Sequence, residues 1–142
     1  MFLSYRAGTP HIWRSDLDGG NVRQLTNGEG EWSPKCSPDG AWLTYGSLDS
    51  KSLGSVWIMP IDGGAPVRIW DRYGGSSISP DGKSVLVREF FGAESKVRII
   101  PAGGGQPIRS FDPVSELGGF EAVNWSARSE EHTSELQSLS HL

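Results

Sequence analysis

Six short stretches of this 142-residue chain carry side chains of the kinds that do chemistry, and each stops short of a complete constellation. Gly74-Gly75-Ser76-Ser77-Ile78 approaches the Gly-x-Ser-x-Gly elbow that presents a hydrolase serine, but it lacks the closing glycine and reads as a linker between repeats. Gly103-Gly104-Gly105 is followed by Gln106-Pro107 rather than the Lys-Ser/Thr of a phosphate loop, so it reads as a hairpin turn. His11 is the single histidine before residue 128. A two-histidine metal site or a triad with an imidazole base is therefore not easily assembled, and His11 reads as the start of a strand. Asp16-Leu17-Asp18-Gly19 has the carboxylate spacing that opens a calcium loop without the remaining ligands. Cys36 has no second cysteine to pair with and is expected in the core. Asn124-Trp125-Ser126 is a glycosylation sequon placed in an expected interior strand. No catalytic, cofactor-binding or metal-binding residue is nominated.

The residues that do recur are turn formers. Ser37-Pro38-Asp39-Gly40 returns as Ser79-Pro80-Asp81-Gly82, 42 residues on, and Asp18-Gly19-Gly20 returns as Asp62-Gly63-Gly64 and, degraded, as Gly103-Gly104-Gly105. Proline presets φ for the second turn position, aspartate bonds back to its own backbone, and glycine accepts positive φ. Two such signals per period leave room for four short strands. Runs at 41–46, 55–59, 67–70, 83–88, 96–100 and 107–111 are short and rich in Val, Ile, Trp and Tyr. Val56-Trp57-Ile58-Met59 and Val97-Arg98-Ile99-Ile100 are apolar along most of their length, which predicts strands covered on both faces. A parallel α/β sheet would also read this way, but it needs crossover helices and the linkers here are short and glycine-rich.

A period of about 40–45 residues holding four strands is the mark of β-propeller blades. The fold class expected is all-β, a partial β-propeller of about three four-stranded blades. Its expected divisions are 1–29 (a partial blade of outer three strands), 30–73 and 74–119 (complete blades), 120–127 (the inner strand of a truncated blade) and 128–142 (a non-native or disordered tail). In this division 2–5 aligns with 42–45, and Ile12-Trp13 with Val56-Trp57. Such an arc reads as a fragment of a larger protein. Its uncovered end faces are expected to favour self-association.

The phrases Ile12-Trp13, Asp16-Leu17-Asp18-Gly19-Gly20, Arg23-Gln24-Leu25-Thr26 and Trp32-Ser33-Pro34-Lys35-Cys36-Ser37-Pro38-Asp39-Gly40 resemble TolB-like, or WD-repeat-like, propeller repeats over nearly all of residues 1–126. The variant with Gly63-Gly64-Ala65-Pro66-Val67 most resembles propellers appended to bacterial serine/threonine kinases and winged-helix regulators. Cys36 departs from that pattern, standing where an aromatic is usual. The resemblance implies a bacterial, non-catalytic module, in a periplasmic or otherwise extracytoplasmic compartment. The segment from Arg128 resembles the translated read-through of a sequencing adapter.

Charge and composition add limits. The net charge is −4, half of it from one arginine and three glutamates in 128–142, which gives no bulk-charge basis for nucleic-acid binding. No apolar run approaches the ~18 residues of a membrane span. Three functional readings follow: a propeller module binding a protein or small ligand, the sensor propeller of a kinase or transcription regulator, and the propeller cap of a serine peptidase. All three place recognition in the loops at 47–54, 71–75, 91–95 and 112–119, because strands are consumed in packing.

Overall fold

The computed structural model describes residues 1–51, 53–91, 94–111 and 125. Eleven strands run through these residues, with no helix among them. They form three antiparallel sheets in sequence order. The first holds β1 (Phe2–Ala7), β2 (Thr9–Arg14) and β3 (Arg23–Gln24). The second holds β4 (Glu31–Cys36), β5 (Trp42–Leu48), β6 (Gly54–Pro60) and β7 (Val67–Trp70). The third holds β8 (Gly74–Ile78), β9 (Ser84–Phe91), β10 (Glu94–Pro101) and β11 (Arg109–Phe111). Each strand hydrogen-bonds to its sequence neighbour within the sheet, so each sheet is a meander laid from one edge to the other. The expected inner strand at 120–127 and the tail at 128–142 lie outside the described residues, Trp125 excepted.

The sheets stack face to face, which explains why the central strands are apolar on both sides. In the second sheet Leu43, Tyr45, Trp57 and Met59 face the first sheet and pack with Ile12 and Leu25. Val56, Ile58 and Ile69 face the third sheet and pack with Ile78, Val85, Val87 and Ile100. Each such fully buried aliphatic side chain contributes roughly 1.5–3 kcal/mol relative to exposure.

Both Ser-Pro-Asp-Gly phrases close the same turn between a sheet's first and second strands. Gly40 and Gly82 take φ of +71° and +70°, donating N–H to the Ser37 and Ser79 carbonyls at 2.9 Å each. Ser37 and Ser79 are buried, and each hydroxyl donates to its aspartate while accepting the N–H of Trp42 or Ser84 at 2.9 Å. The aspartate oxygen also accepts the N–H of Ala41 or Lys83 at 3.0 Å. Ser79→Ala should therefore cost about 1–2 kcal/mol in denaturant melts, because the part-buried Ser84 N–H loses its acceptor; an unchanged midpoint would contradict this.

The serine hydroxyl first, and the backbone N–H second, hold both aspartates below the usual carboxylate range. A carboxyl that holds its proton less tightly folded than unfolded stabilises the fold above the unfolded value near ~3.9, and the contribution fades as acid carries the pH through the lower, folded value. Asp39→Asn with Asp81→Asn should keep most stability at pH 7 and flatten the acid limb of a thermal-melt series below about pH 4. An acid limb as steep as the parent's would count against these two groups.

Three expectations are corrected. Gly74–Ile78 is a strand rather than a linker, the first of its sheet: a Cβ on Gly74 would stand 2.4 Å from the Arg88 carbonyl oxygen, so close pairing with β9 demands glycine there. Cys36 is exposed rather than in the core. It lies opposite Leu43 at the end of β4, beyond a bulge between Trp32 and Lys35 where Ser33 takes φ +49°. The first sheet, which packs on Leu43 through Ile12, ends at β1 and has no fourth strand among the described residues to cover it. The alignment of 2–5 with 42–45 shifts by three residues: Phe2 pairs across to Trp13 as Tyr45 pairs to Trp57. Cross-strand register decides equivalence here, and β1 and β5 differ too much in sequence to show it.

Candidate binding rim

Antiparallel alternation sorts the connections to two ends of the sheets. The turns at 37–40 and 79–82, and the second family at 18–20, 62–64 and 103–105, lie at one end. The β5–β6 loop residues 49–51 and 53, the sheet-to-sheet links at 25–30 and 71–73, and the β1–β2 reversal at Gly8 lie at the other. Of the nominated recognition loops, 49–51, 53 and 71–73 thus share the end opposite the turn signatures. Ser47, Leu48 and Gly54 prove to be strand residues, as do Gly74 and Gly75. Positions 92–93 and 112–119 lie outside the described residues.

The acidic side chains of the second turn family are engaged by protein groups. Asp18 accepts the N–H of Gly20 at 2.8 Å, and Asp16 accepts the side-chain amide of Asn21 at 2.6 Å, so the two carboxylates of the calcium-like phrase are turned to their own loop. Gly19, Gly63 and Gly64 carry positive φ. Asp62 reaches across to the first sheet, where Arg14 donates to it and Arg23 stands 3.8 Å away. Among the described residues no group of three His, Cys, Asp or Glu side chains could hold a metal ion.

At the other end the structure assembles a polar network that sequence reasoning missed. Glu31, the first residue of β4, is 3% exposed, and three donors converge on its carboxylate. These are His11 Nδ1 at 2.7 Å and the Thr26 hydroxyl at 2.9 Å on Oε2, and Gly28 N–H at 2.7 Å on Oε1. Thr26 in turn accepts the N–H of Ile12 at 2.9 Å. His11 sits third in β2, buried, with Nε2 3.0 Å from the exposed Thr9 hydroxyl. A carboxylate on Nδ1 sets the tautomer with its proton there, leaving Nε2 to accept from Thr9. Carboxylate, imidazole and hydroxyl therefore stand in line, but the carboxylate end is spent on clasping the link at 25–30 and β2 to the second sheet. Burial pushes the Tyr45 phenol far up, and the Glu31 charge adds to the effect. The available signal was an acidic residue directly before the aromatic that opens an inner strand.

The second and third sheets are clasped differently. Trp32 stacks on Tyr73 with ring centroids 4.7 Å apart and donates its indole N–H to the Gly74 carbonyl at 3.3 Å. Room for this stack comes from Gly46, where a Cβ would fall 2.0 Å from the Trp32 ring. Deeper in the same junction, Arg98 donates to buried Glu89 at 2.7 Å and lies 5.4 Å from the centre of the Trp70 ring. Along the rim, Asp49 accepts the N–H groups of Lys51 and Leu53 at 2.9 Å each, and the Leu53 bond foremost holds its carboxyl below the usual range. Arg68 pairs with Asp71 at 2.9 Å. The rim thus presents a half-exposed aromatic, Tyr73, stacked on Trp32, with the Arg68–Asp71 pair just before it in the chain.

The crystal structure of TolB from Acinetobacter baumannii superposes with a TM-score of 0.63 at 28% identity, over 72% of this chain and 26% of that one. The β-propeller domain of the trilobed protease from Pyrococcus furiosus, of open velcro topology, superposes at 0.60 with 17% identity, over 75% and 35%. These repeats are TolB-like propeller blades, and the chain is a partial, open propeller. In sequence, an uncharacterised protein of Agrobacterium fabrum is 28% identical over 132 residues, covering 84% of this chain and 45% of that protein. Tricorn protease homolog 1 of Streptomyces coelicolor is 30% identical over 95 residues, covering 66% of this chain and 8% of that protein. The chain spans less than half the length of these curated relatives. No family model matches it. In the propeller frame the clasps at Glu31 and Trp32 are blade junctions, and the rim is the end where the blade-to-blade links gather. No helix among the described residues is long and apolar enough to cross a membrane.

Proposed function

We propose that this propeller arc is a non-catalytic interaction module that holds an extended peptide or a small ligand against its link-side rim. The observation that carries the reading is the Trp32–Tyr73 stack: an aromatic surface, 47% exposed at Tyr73, seated on a blade junction and beside Gly54 at the start of β6. Such a surface offers contact area at low conformational cost and retains polar edges for orientation. Peptides selected from a random phage library on the intact chain should lose binding on Tyr73→Ala and keep it on Asp39→Asn at the opposite end. Selected peptides that ignore Tyr73 and respond to the turn end would refute the assignment.

The same rim serves a second reading, the propeller cap of a peptidase, supported by the likeness to a Tricorn protease homolog. There it would admit peptides to a hydrolase domain elsewhere in a longer protein. A sensor propeller attached to a kinase or a transcription regulator would use the same rim. An extracytoplasmic location accords with the TolB likeness.

A further inference from the structure

We propose that Thr9 is a nucleophile activated by His11, and that it takes an acyl group from an activated ester. The order of residues prepares the pair. Thr9-Pro10-His11 opens β2, where alternation sends residues two apart to one face, and the proline confines Thr9 to extended backbone. His11 is 6% exposed and its Nε2 lies 3.0 Å from the Thr9 hydroxyl, within the reach that a general base needs. On the other side of the ring Nδ1 donates to Glu31 at 2.7 Å, and Glu31 is 3% exposed. Thr26 and Gly28 hold that carboxylate with two further bonds, so the imidazole cannot turn without breaking the clasp between the first and second sheets. A nucleophile, a base and a group that orients the base thus meet in one line of contacts.

Thr9 stands at the exposed end of that line. An exposed hydroxyl ordinarily shares its proton with water, whereas the fixed tautomer of His11 gives this one a directed acceptor. Gly8, the residue before it, takes φ +100°, and a Cβ there would meet nothing within 4 Å, so the backbone beside the hydroxyl faces open space. In the step, Thr9 Oγ1 bonds to the acyl carbon and the bond from that carbon to the leaving oxygen breaks. The Thr9 proton passes to His11 Nε2 and from there to the departing alkoxide or phenolate, and nothing is oxidised or reduced. Glu31 acts through His11, as a positioning residue that stabilises the transient imidazolium. The product is a threonine ester at the link-side end, a covalent attachment site beyond the non-covalent binding proposed for the rim.

Incubating the intact chain with 4-nitrophenyl acetate, quenching in acid and mapping peptides by mass spectrometry should find an acetyl ester on Thr9. It should form about a hundredfold faster than on Ser50, which is exposed at the same end, and should lose that advantage in urea, where Thr9 and His11 are no longer held together. Thr9→Val should abolish the ester and Thr9→Ser should keep one at this position, both changes falling on an exposed side chain. Glu31→Gln, shown to be folded by circular dichroism, should slow acetylation at least about tenfold. Should that variant fail to fold, the comparison of the parent with and without urea decides alone. A Thr9 ester that forms no faster than that on Ser50, that forms equally fast in urea, or that is unslowed in folded Glu31→Gln would overturn the proposal and leave Thr9 a structural hydroxyl.

Discussion

Glu31→Leu is expected to lower the unfolding free energy by about 3–5 kcal/mol, because three donors gathered on one buried carboxylate are left without an acceptor, each at roughly 1–3 kcal/mol. His11 Nδ1, the Thr26 hydroxyl and Gly28 N–H all lose their acceptor at once. Against the ~5–15 kcal/mol that holds a typical domain, this is enough to empty the native state of a marginal one. The double variant His11→Leu with Glu31→Leu should recover part of the loss, since replacing both partners by apolar groups removes the desolvation penalty together with the attraction. Urea melts of the parent, both single variants and the double complete the cycle. A single-variant cost under about 1 kcal/mol would show the clasp to be dispensable, in the manner of an exposed pair.

Gly46→Ala should be the second large effect, and it acts on the rim. The new methyl would fall 2.0 Å from Trp32 Cε2, so the indole must leave its place or the β4–β5 ladder must open. Overpacking of this kind costs about 1–3 kcal/mol. More specifically, the ring movement should abolish the stack with Tyr73 and the bond to the Gly74 carbonyl. Near-UV circular dichroism should lose its Trp–Tyr signature while the far-UV strand signal persists. Peptides that depend on Tyr73 should lose affinity in parallel. A preserved near-UV spectrum would mean that the sheet yields and the stack does not, removing Gly46 from the account of the rim.

The two variants separate the junctions. Glu31 clasps the first sheet to the second, and Trp32, its neighbour in the chain, clasps the second to the third, so adjacent residues of one inner strand hold opposite faces of the arc. Side chains alternate across a strand, and this is the alternation put to mechanical use.

Much of the architecture was legible in the chain. Ser37-Pro38-Asp39-Gly40 and Ser79-Pro80-Asp81-Gly82 announce their turns because every bond that forms them joins residues within five positions. Val56 to Met59 announces a strand covered on both faces because burial on two sides removes the polar alternate. The rim was harder: its end of the molecule follows from strand alternation, but nothing local to Trp32 predicts Tyr73, which arrives from the link 41 residues on. In the sequence His11 has the look of an ordinary strand residue, since its partner, Glu31, belongs to a different sheet. Composition places Cys36 inside, as small thiols usually are, whereas its exposure depends on a bulge and on how far the neighbouring sheet extends.

Sequence alone determined the repeat, its turns and the number of strands per unit, since these rest on φ preferences and short hydrogen bonds that each residue carries with it. Tertiary structure alone decided which polar groups meet between sheets, the register that equates Phe2 with Tyr45, and the laying of the Arg6 guanidinium over the Phe2 and Trp13 rings. Those outcomes come from stacking whole sheets, where the position of one side chain depends on surfaces assembled from residues far apart in the chain.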